Sequence, residues 1–486
     1  MSLAAHHQRP STVVRSIAVL GCLVIVVALV GGLLGHHDGA HAKPELPASW
    51  ALGAAPFAFL LLAIAVFPLI PAIASWWHSN VSRLAVAATC GVATLVWITA
   101  TMGAHQAATL TGHAVLDEYI PFIVLLFSLY VISGGIAIRG NLPAHPGTNT
   151  AILAIGTVLA SAIGTTGASM VLIRFLLSVN KERHKVAHTA VFFIFLVSNC
   201  GGLLLPLGDP PLFLGYLKGV PFLWTTSLWQ EWLLVNSILL ALYFIWDRHE
   251  WKAERRKDIS RDEHARRRIS IDGRLNILWL VLVVLVVATV DPSRPLPGTE
   301  WKPFSYMREL MMLGLCALSM AFTKDAVRKA NEFDFGAIAE VAALFIGIFV
   351  TMQVPLLVLK EKGAALGLAT PMEYFWATGS LSAILDNAPT YLVFLQTAVS
   401  TPIEGAPLVS VGDLGQVSEP LLSAVSLGAV FMGAMTYIGN GPNFMVKAIA
   451  EQRGVRMPSF FGYLGWSCLV LLPTLYLASR LFVAAP

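Results

Sequence analysis

Charge is the scarcest property of this chain. Only 12% of its 486 residues are Asp, Glu, Lys or Arg, against 56% hydrophobic residues and a mean hydropathy of +0.71; soluble domains carry about 25% charged residues. So little charge cannot solvate the surface of an ordinary water-soluble domain, so the composition calls for lipid as the solvent. The net charge of +4 is small, and its basic residues fall in short segments between apolar runs, which reads as membrane topology and not as a nucleic-acid face. Cysteine is also sparse. Cys22, Cys90, Cys200, Cys316 and Cys468 sit in or beside apolar runs without the paired spacing of a disulfide framework or metal site. No HExxH zinc motif, GxSxG nucleophile elbow or large polar domain is present, which argues against a membrane-embedded enzyme. His6, His7, His36, His37 and His41 cluster near the N-terminus and read as loop residues before a metal site or pH sensor.

What the chain has instead is a series of apolar runs. A bilayer core of ~30 Å takes roughly 20 helical residues. Spans are expected near 17–34, 56–75, 83–103, 120–138, 189–219, 230–246, 275–290, 308–322, 337–358, 420–450 and 460–483, eleven in all. The first follows Arg9 and Arg15 and precedes Ala40-His41-Ala42, so it reads either as a transmembrane helix or as a signal-like segment. Two further segments, 149–178 and 371–399, are apolar at both ends and polar in the middle, at Gly164-Thr165-Thr166-Gly167-Ala168-Ser169 and Asp386-Asn387-Ala388-Pro389-Thr390. Unsatisfied polar groups facing lipid cost several kcal/mol each, so these segments are expected to be re-entrant hairpins whose tips are buried in protein.

Lys and Arg placement orients the spans. The segment 248–274 is densely basic (Arg255, Arg256, Lys257, Arg266, Arg267, Arg268), and counting outward from it puts 181–188, 324–329 and 451–458, each with its own Lys or Arg, on the same side. The loop 400–419, with Glu404, Asp413 and Glu419 and no Lys or Arg, falls on the other. The expectation is an inner (plasma) membrane protein with its N-terminus cytoplasmic and its C-terminus outside. The chain then divides into an N-terminal segment (1–54), a first repeat (55–247), a basic cytoplasmic loop (248–274), a second repeat (275–458) and a last transmembrane helix (459–486).

The two halves carry the same elements in the same order. Each has a span (Val124-Leu125-Leu126-Phe127 onward; Ala342-Ala343-Leu344-Phe345 onward), a polar-tipped hairpin, and a long span interrupted by glycine, proline and asparagine. The breaks are Ser198-Asn199-Cys200-Gly201-Gly202 through Gly208-Asp209-Pro210-Pro211, and Thr436 through Gly439-Asn440-Gly441-Pro442-Asn443. An odd number of intervening spans inverts one half relative to the other. Inverted repeats with Gly/Pro-broken helices at matching positions point to the binding site of a secondary transporter.

The stretches EYIPFIVLLFSLYVISGG (118–135), GTTGASMVLIRFLL (164–177), NCGGLLLPLGDPPLFLGYL (199–217) and LDNAPTYL (385–392) resemble the ion transporter superfamily, in particular its D-type bacterial sodium/proton antiporters and a related citrate transporter family. The similarity covers roughly residues 55–480. It implies an all-α polytopic fold of about eleven transmembrane helices plus two re-entrant hairpins, a homodimer, and scaffold and transport domains that work as an elevator. It also implies that a hairpin tip and the following break share one cation. The superfamily's carboxylate symporters carry a Ser-Asn-Thr triplet at each tip. This chain has neither triplet.

Sodium takes several oxygen ligands, from unwound backbone and from Asn, Thr and Ser side chains. The candidates are Thr165, Thr166, Ser169 and Asn199 in the first repeat and Asn387, Thr390, Asn440 and Asn443 in the second. Asp209 lies in the first break and Asp386 at the second tip, while the position matching Asp209 is Asn440. An intramembrane carboxylate is expensive and usually functional, and one that binds H⁺ and Na⁺ in competition is the simplest antiporter. Either Asp can instead, or in addition, cap the helix that follows it. Glu340 is a snorkelling end residue or a proton relay, and Arg174 and Lys447 can each pair with an Asp, bind an anion or face the cytoplasm. The expectation is a Na⁺/H⁺ antiporter with Na⁺ as the transported ion and no other cofactor; the alternative is a Na⁺-coupled citrate or dicarboxylate symporter that moves a carboxylate anion.

Overall fold

The computed structural model describes residues 46–254, 267–291, 295 and 299–483, with isolated positions between 16 and 26. The expected span at 17–34 therefore lies almost wholly outside the described residues, as do His6, His7, His36, His37 and His41. Within them the chain is a polytopic helical membrane protein. Seven helical stretches are long and apolar enough to cross a bilayer, and shorter apolar helices include Thr165–Val179, Ala187–Leu203, Leu275–Thr289 and Glu419–Met435.

Several expected span boundaries change; the span at 230–246 lengthens to Trp224–Ala253, so the segment expected as a basic loop from 248 begins as helix, and two other spans change more in kind. The span at 56–75 is a helix Trp50–Val66, one tighter turn at Phe67–Leu69 and a separate short helix Pro71–Trp77, because Pro68 and Pro71 supply no N–H to continue the first. The span at 120–138 begins much earlier. Ala104–Gly112, a π-helical stretch His113–Tyr119 and Ile120–Ser133 run on as one rod.

The purely α-helical expectation also needs correction, since two short antiparallel ribbons are present. Ala137–Asn141 pairs with Arg267–Asp272, with Ala137 opposite Asp272 and Arg139 opposite Ser270. The end of the basic 248–274 loop is thus pinned as a strand and not left as free chain, with Arg139 Nε 2.7 Å from Asp272 Oδ2. In the 400–419 loop, Leu408–Ser410 pairs with Gln416–Ser418.

The helices gather into two compact units. The first takes the chain up to Ile123 together with Asp334–Gly367. Its core sets Leu95, Val115 and Val350 against Tyr119, Ile120 and Ile346, with the Phe122 and Phe345 rings stacked at 4.8 Å. The long helix Gly336–Lys362 is tied in by Tyr119 Oη, which donates to the Ala342 carbonyl at 3.0 Å. A buried Glu118 accepts from Gln353 Nε2 at 3.1 Å.

The second unit takes Val124–Phe333 and Leu368–Pro486, and holds both hairpins and both broken spans. The first hairpin has arms Pro146–Ile163 and Thr165–Val179, and the second has Pro371–Ser382 and Asn387–Val399. The first broken span runs as Ala187–Leu196, an irregular break, and Pro210–Leu217; the second as Glu419–Met432, a break, and Gly441–Gln452. Ala187–Leu196 is apolar apart from His188 and Thr189 and almost entirely buried, as suits a helix surrounded by protein.

Candidate functional site

Each hairpin turns on a residue suited to a non-helical backbone. Gly164 holds φ +81° between its arms, a conformation glycine adopts without penalty. Asp386 stays extended and caps the second arm, its Oδ1 accepting from Ala388 N–H at 3.0 Å. Each tip is then laced to its break by one backbone bond. Thr165 N–H donates to Gly208 O at 2.8 Å, and Asn387 N–H to Gly439 O at 3.1 Å. The breaks themselves fold back tightly enough that a Cβ on Gly208 would collide with the Gly202 carbonyl, and one on Gly439 would sit 2.6 Å from Gly433 O. Both pairs are six residues apart in sequence. Both breaks restart on proline: Pro210 and Pro211 follow Asp209, and Pro442 follows Gly441. Proline in the first turn loses no helical hydrogen bond.

This folding brings all four elements to one carboxylate. Asp209 is 1% exposed. Its Oδ1 accepts from Thr165 Oγ1 of the first tip at 3.0 Å and from Asn440 Nδ2 of the second break at 2.9 Å. Its Oδ2 accepts from Asn387 Nδ2 of the second tip at 2.6 Å. Asp209 occupies the N-cap position of Pro210–Leu217, yet its side chain makes no cap hydrogen bond. Both oxygens are spent on the second hairpin tip and the second break. Hydrogen bonds to an ionised group stabilise it by roughly 1.5–3 kcal/mol each, and nearby helix N-termini, at Thr165, Pro210, Asn387 and Gly441, favour negative charge. Together these offset part of the cost of holding a carboxylate away from water.

A second layer of amides supports the first. Asn199 Nδ2 donates to Asn443 Oδ1 at 2.7 Å and to Ile194 O at 2.8 Å, and its Oδ1 accepts from Asn440 Nδ2 at 3.2 Å. Asn443 Nδ2 bonds Gly433 O and Thr436 O at 2.8 and 2.9 Å, carbonyls its own break leaves open. One buried atom stands out. Asn387 Oδ1, on the same amide that donates to Asp209, has no hydrogen-bond partner.

Of the candidates read from the sequence, Thr165, Asn387 and Asn440 meet Asp209 directly, and Asn199 and Asn443 stand behind Asn440. Ser169 pairs instead with Ser198 Oγ at 2.9 Å. Thr390 Oγ1 bonds back to Asp386 O at 2.9 Å within its own helix, and Thr166 is half-buried and makes no contact with Asp209. Glu340 belongs to the other unit, where its Oε2 lies 2.7 Å from Arg83 Nη1. Among the described residues neither basic candidate pairs with an Asp. Arg174 faces Glu332 at 3.5 Å and Lys447 faces Glu451 at 3.2 Å. Sequence reasoning passed over Ser198, whose carbonyl accepts from Asn440, and Thr436, whose Oγ1 accepts from Ile438 and Gly439 N–H and donates to Ala383 O at 2.6 Å. Both lie inside the breaks already singled out, but nothing in their residue type sets them apart from other membrane hydroxyls.

Among the described residues no group of three His, Cys, Asp or Glu side chains stands together. The oxygens at Asp209 and Asn387 are hard donors suited to an alkali cation. A family described as "Putative citrate transport" matches residues 44–483. An uncharacterized transporter of Synechocystis sp. is 22% identical over 358 residues, covering 68% of this chain and 76% of that protein.

Proposed function

This chain belongs to the family described as putative citrate transport and is a membrane transporter, not an enzyme; from that premise we propose that it exchanges Na⁺ for H⁺ at Asp209. The observation that carries this reading is the pairing of the Asp209 carboxylate with the unpartnered Asn387 Oδ1, on the amide that reaches it at 2.6 Å. A negative charge beside a bare oxygen is an incomplete ligand set for a cation. With Na⁺ present, the Asn387 amide presents its oxygen to the ion beside the carboxylate. With a proton on Asp209 in place of Na⁺, the acid becomes a donor and the same amide oxygen can accept from it. Proton and cation thus compete for one carboxylate, and occupancy by either neutralises the site.

In this reading Thr165, Asn387 and Asn440 position the carboxylate, and Asn199 and Asn443 hold Asn440 in place. Asp386 keeps the second tip folded, with Oδ2 available to the ion. Thr166, Ser169 and Thr390 supply hydroxyls around the tips. The whole site lies in one unit, as an elevator mechanism requires of its moving part, and we place the protein as a homodimer in the plasma membrane with its N-terminus cytoplasmic.

The test is purified protein in proteoliposomes with an acidic interior and a trapped pH dye. Addition of Na⁺ should collapse the gradient in the wild type and not in Asp209→Asn. A gradient indifferent to Na⁺ across the range around neutrality would sink the proposal.

A second reading, Na⁺-coupled uptake of citrate or a dicarboxylate, has the family's description behind it, together with the two break helices, whose N-termini at Pro210 and Gly441 favour anions. Saturable, Na⁺-dependent uptake of labelled citrate would establish it.

A further inference from the structure

A cavity of about 800 Å³ opens at the foot of the first hairpin and shares no residue with the Asp209 cluster. Its walls come from the turn that links the hairpin to the first broken span, from the end of the helix Trp229–Ala253, and from the turn after Gly441–Gln452. The wall is basic. Among the described residues, Lys181, Arg183, Lys185, Arg453 and Arg456 line it against a single acid, Glu250, which Lys185 Nζ already holds at 2.8 Å. Lys181 lies 3.5 Å from Glu182, and Glu254 Oε1 is taken by the backbone N–H groups of His184 and Lys185. Behind the wall, the fully buried Asp247 is matched by Arg183 Nη1 at 2.7 Å and His188 Nε2 at 2.8 Å. Among the described residues no anion within reach is left over for the rest.

Two observations point to a ligand. Arg183 is 5% exposed, and its Nε and Nη2 are buried without an acceptor, which costs about 1–3 kcal/mol or more for a charged donor. Among the described residues, Arg453 and Arg456 have no ion-pair partner either. The depth of the cavity is marked by Trp246 and Trp466, whose rings lie 4.4 Å apart near the end of the span Trp224–Ala253 and the start of Phe460–Val483. Indoles concentrate at the membrane–water boundary. Basic pockets between spans at that depth suit phosphate headgroups, and the planar guanidinium fork matches phosphate oxygens two at a time.

We propose that this cavity is a phosphate-group site at the membrane surface, with Arg183, Arg453 and Arg456 donating to the phosphate oxygens. The phosphate is that of an anionic lipid headgroup, with the two indoles against its acyl chains, or of a free anion. The site joins the first hairpin to the turn behind the second break, so its occupancy should stabilise the fold whether or not the transport reading holds.

The test is the unfolding midpoint of the full-length protein in phosphatidylcholine nanodiscs, with phosphatidylglycerol added in one arm and choline phosphate salt, against choline chloride of equal ionic strength, in the other. Phosphatidylglycerol should raise the wild-type midpoint by about 2–4 °C, and the Arg453→Gln/Arg456→Gln variant, altered only on an exposed turn, should lose most of that rise. Arg183→Lys, which can keep the bond to Asp247, should lose part of it. A rise with inorganic phosphate alone, also lost in the double variant, assigns the site to a free anion. No rise with either probe, or an equal rise in wild type and double variant, overturns the proposal.

Discussion

Asp209 and Asn440 stand at matching positions of the two broken spans, and the second donates to the first, Asn440 Nδ2 to Asp209 Oδ1 at 2.9 Å. Each follows a glycine whose carbonyl receives the tip of the hairpin before it, and each precedes a helix with proline in its first turn. The two breaks are thus matched in backbone and unmatched in charge, with one acid set against one amide. Two carboxylates in these places would face one another within hydrogen-bonding distance and repel one another when ionised. Asn440→Asp should therefore lower stability by at least about 2 kcal/mol, through loss of a donor to a buried charge and added repulsion, read as a fall in the unfolding midpoint in detergent. An unchanged midpoint would mean that the two residues do not bond in the membrane.

Asp209→Asn keeps the size of the side chain but removes the charge and replaces one acceptor oxygen with an amide donor, so Asn387 and Asn440 cannot both keep their acceptor. Ion exchange should fall below detection while the protein still reaches the membrane. The wild type should gain thermal stability on addition of Na⁺ and the variant should not, a comparison that separates lost binding from lost folding.

Asp386 spends one oxygen on Ala388 N–H, so its two roles can be separated by substitution. Asp386→Asn and Asp386→Ser retain a cap acceptor, whereas Asp386→Ala loses one and should cost about 1 kcal/mol. If Asp386 carries exchangeable charge as well, Asn and Ser variants will be stable and slow in transport. Wild-type rates in Asp386→Asn would leave it as a cap alone.

Gly208→Ala should be among the most damaging single-methyl changes in the chain, because the new Cβ meets the Gly202 carbonyl in a fully buried break that cannot relax. A loss of more than about 3 kcal/mol, or failure to accumulate in the membrane, is expected. Gly147→Ala, where a Cβ meets nothing within 4 Å, serves as the control and should be neutral.

Glu340 holds the buried Arg83 at 2.7 Å, but its own side chain is 41% exposed. Glu340→Gln should cost about 1 kcal/mol or less and leave the rate of Na⁺/H⁺ exchange unchanged. A slowed exchange with unaltered Na⁺ binding would restore Glu340 as a proton relay.

The sequence alone determined the solvent, the element order and the breaks. Low charge and long apolar runs require a bilayer, and polar clusters at mid-run require hairpins. Glycine and proline at 201–211 and 439–442 require broken helices, since they alter the backbone wherever they stand. It also named Asp209 and Asp386 with Thr165, Thr166, Ser169, Asn199, Asn387, Thr390, Asn440 and Asn443, because uncharged polar groups and two acids are conspicuous against such an apolar background. What it could not determine was which of the polar side chains meet. Thr165 and Thr166 are neighbours in the chain, but successive helical residues point about 100° apart, and only the docking of the first tip onto its break turns Thr165 toward Asp209. Asp209 and Asp386 look alike as acids before helices, yet one bonds to distant segments and the other caps its own helix. That choice is made by contacts between segments some 180 to 230 residues apart, which no local pattern records, and only the tertiary structure decides it.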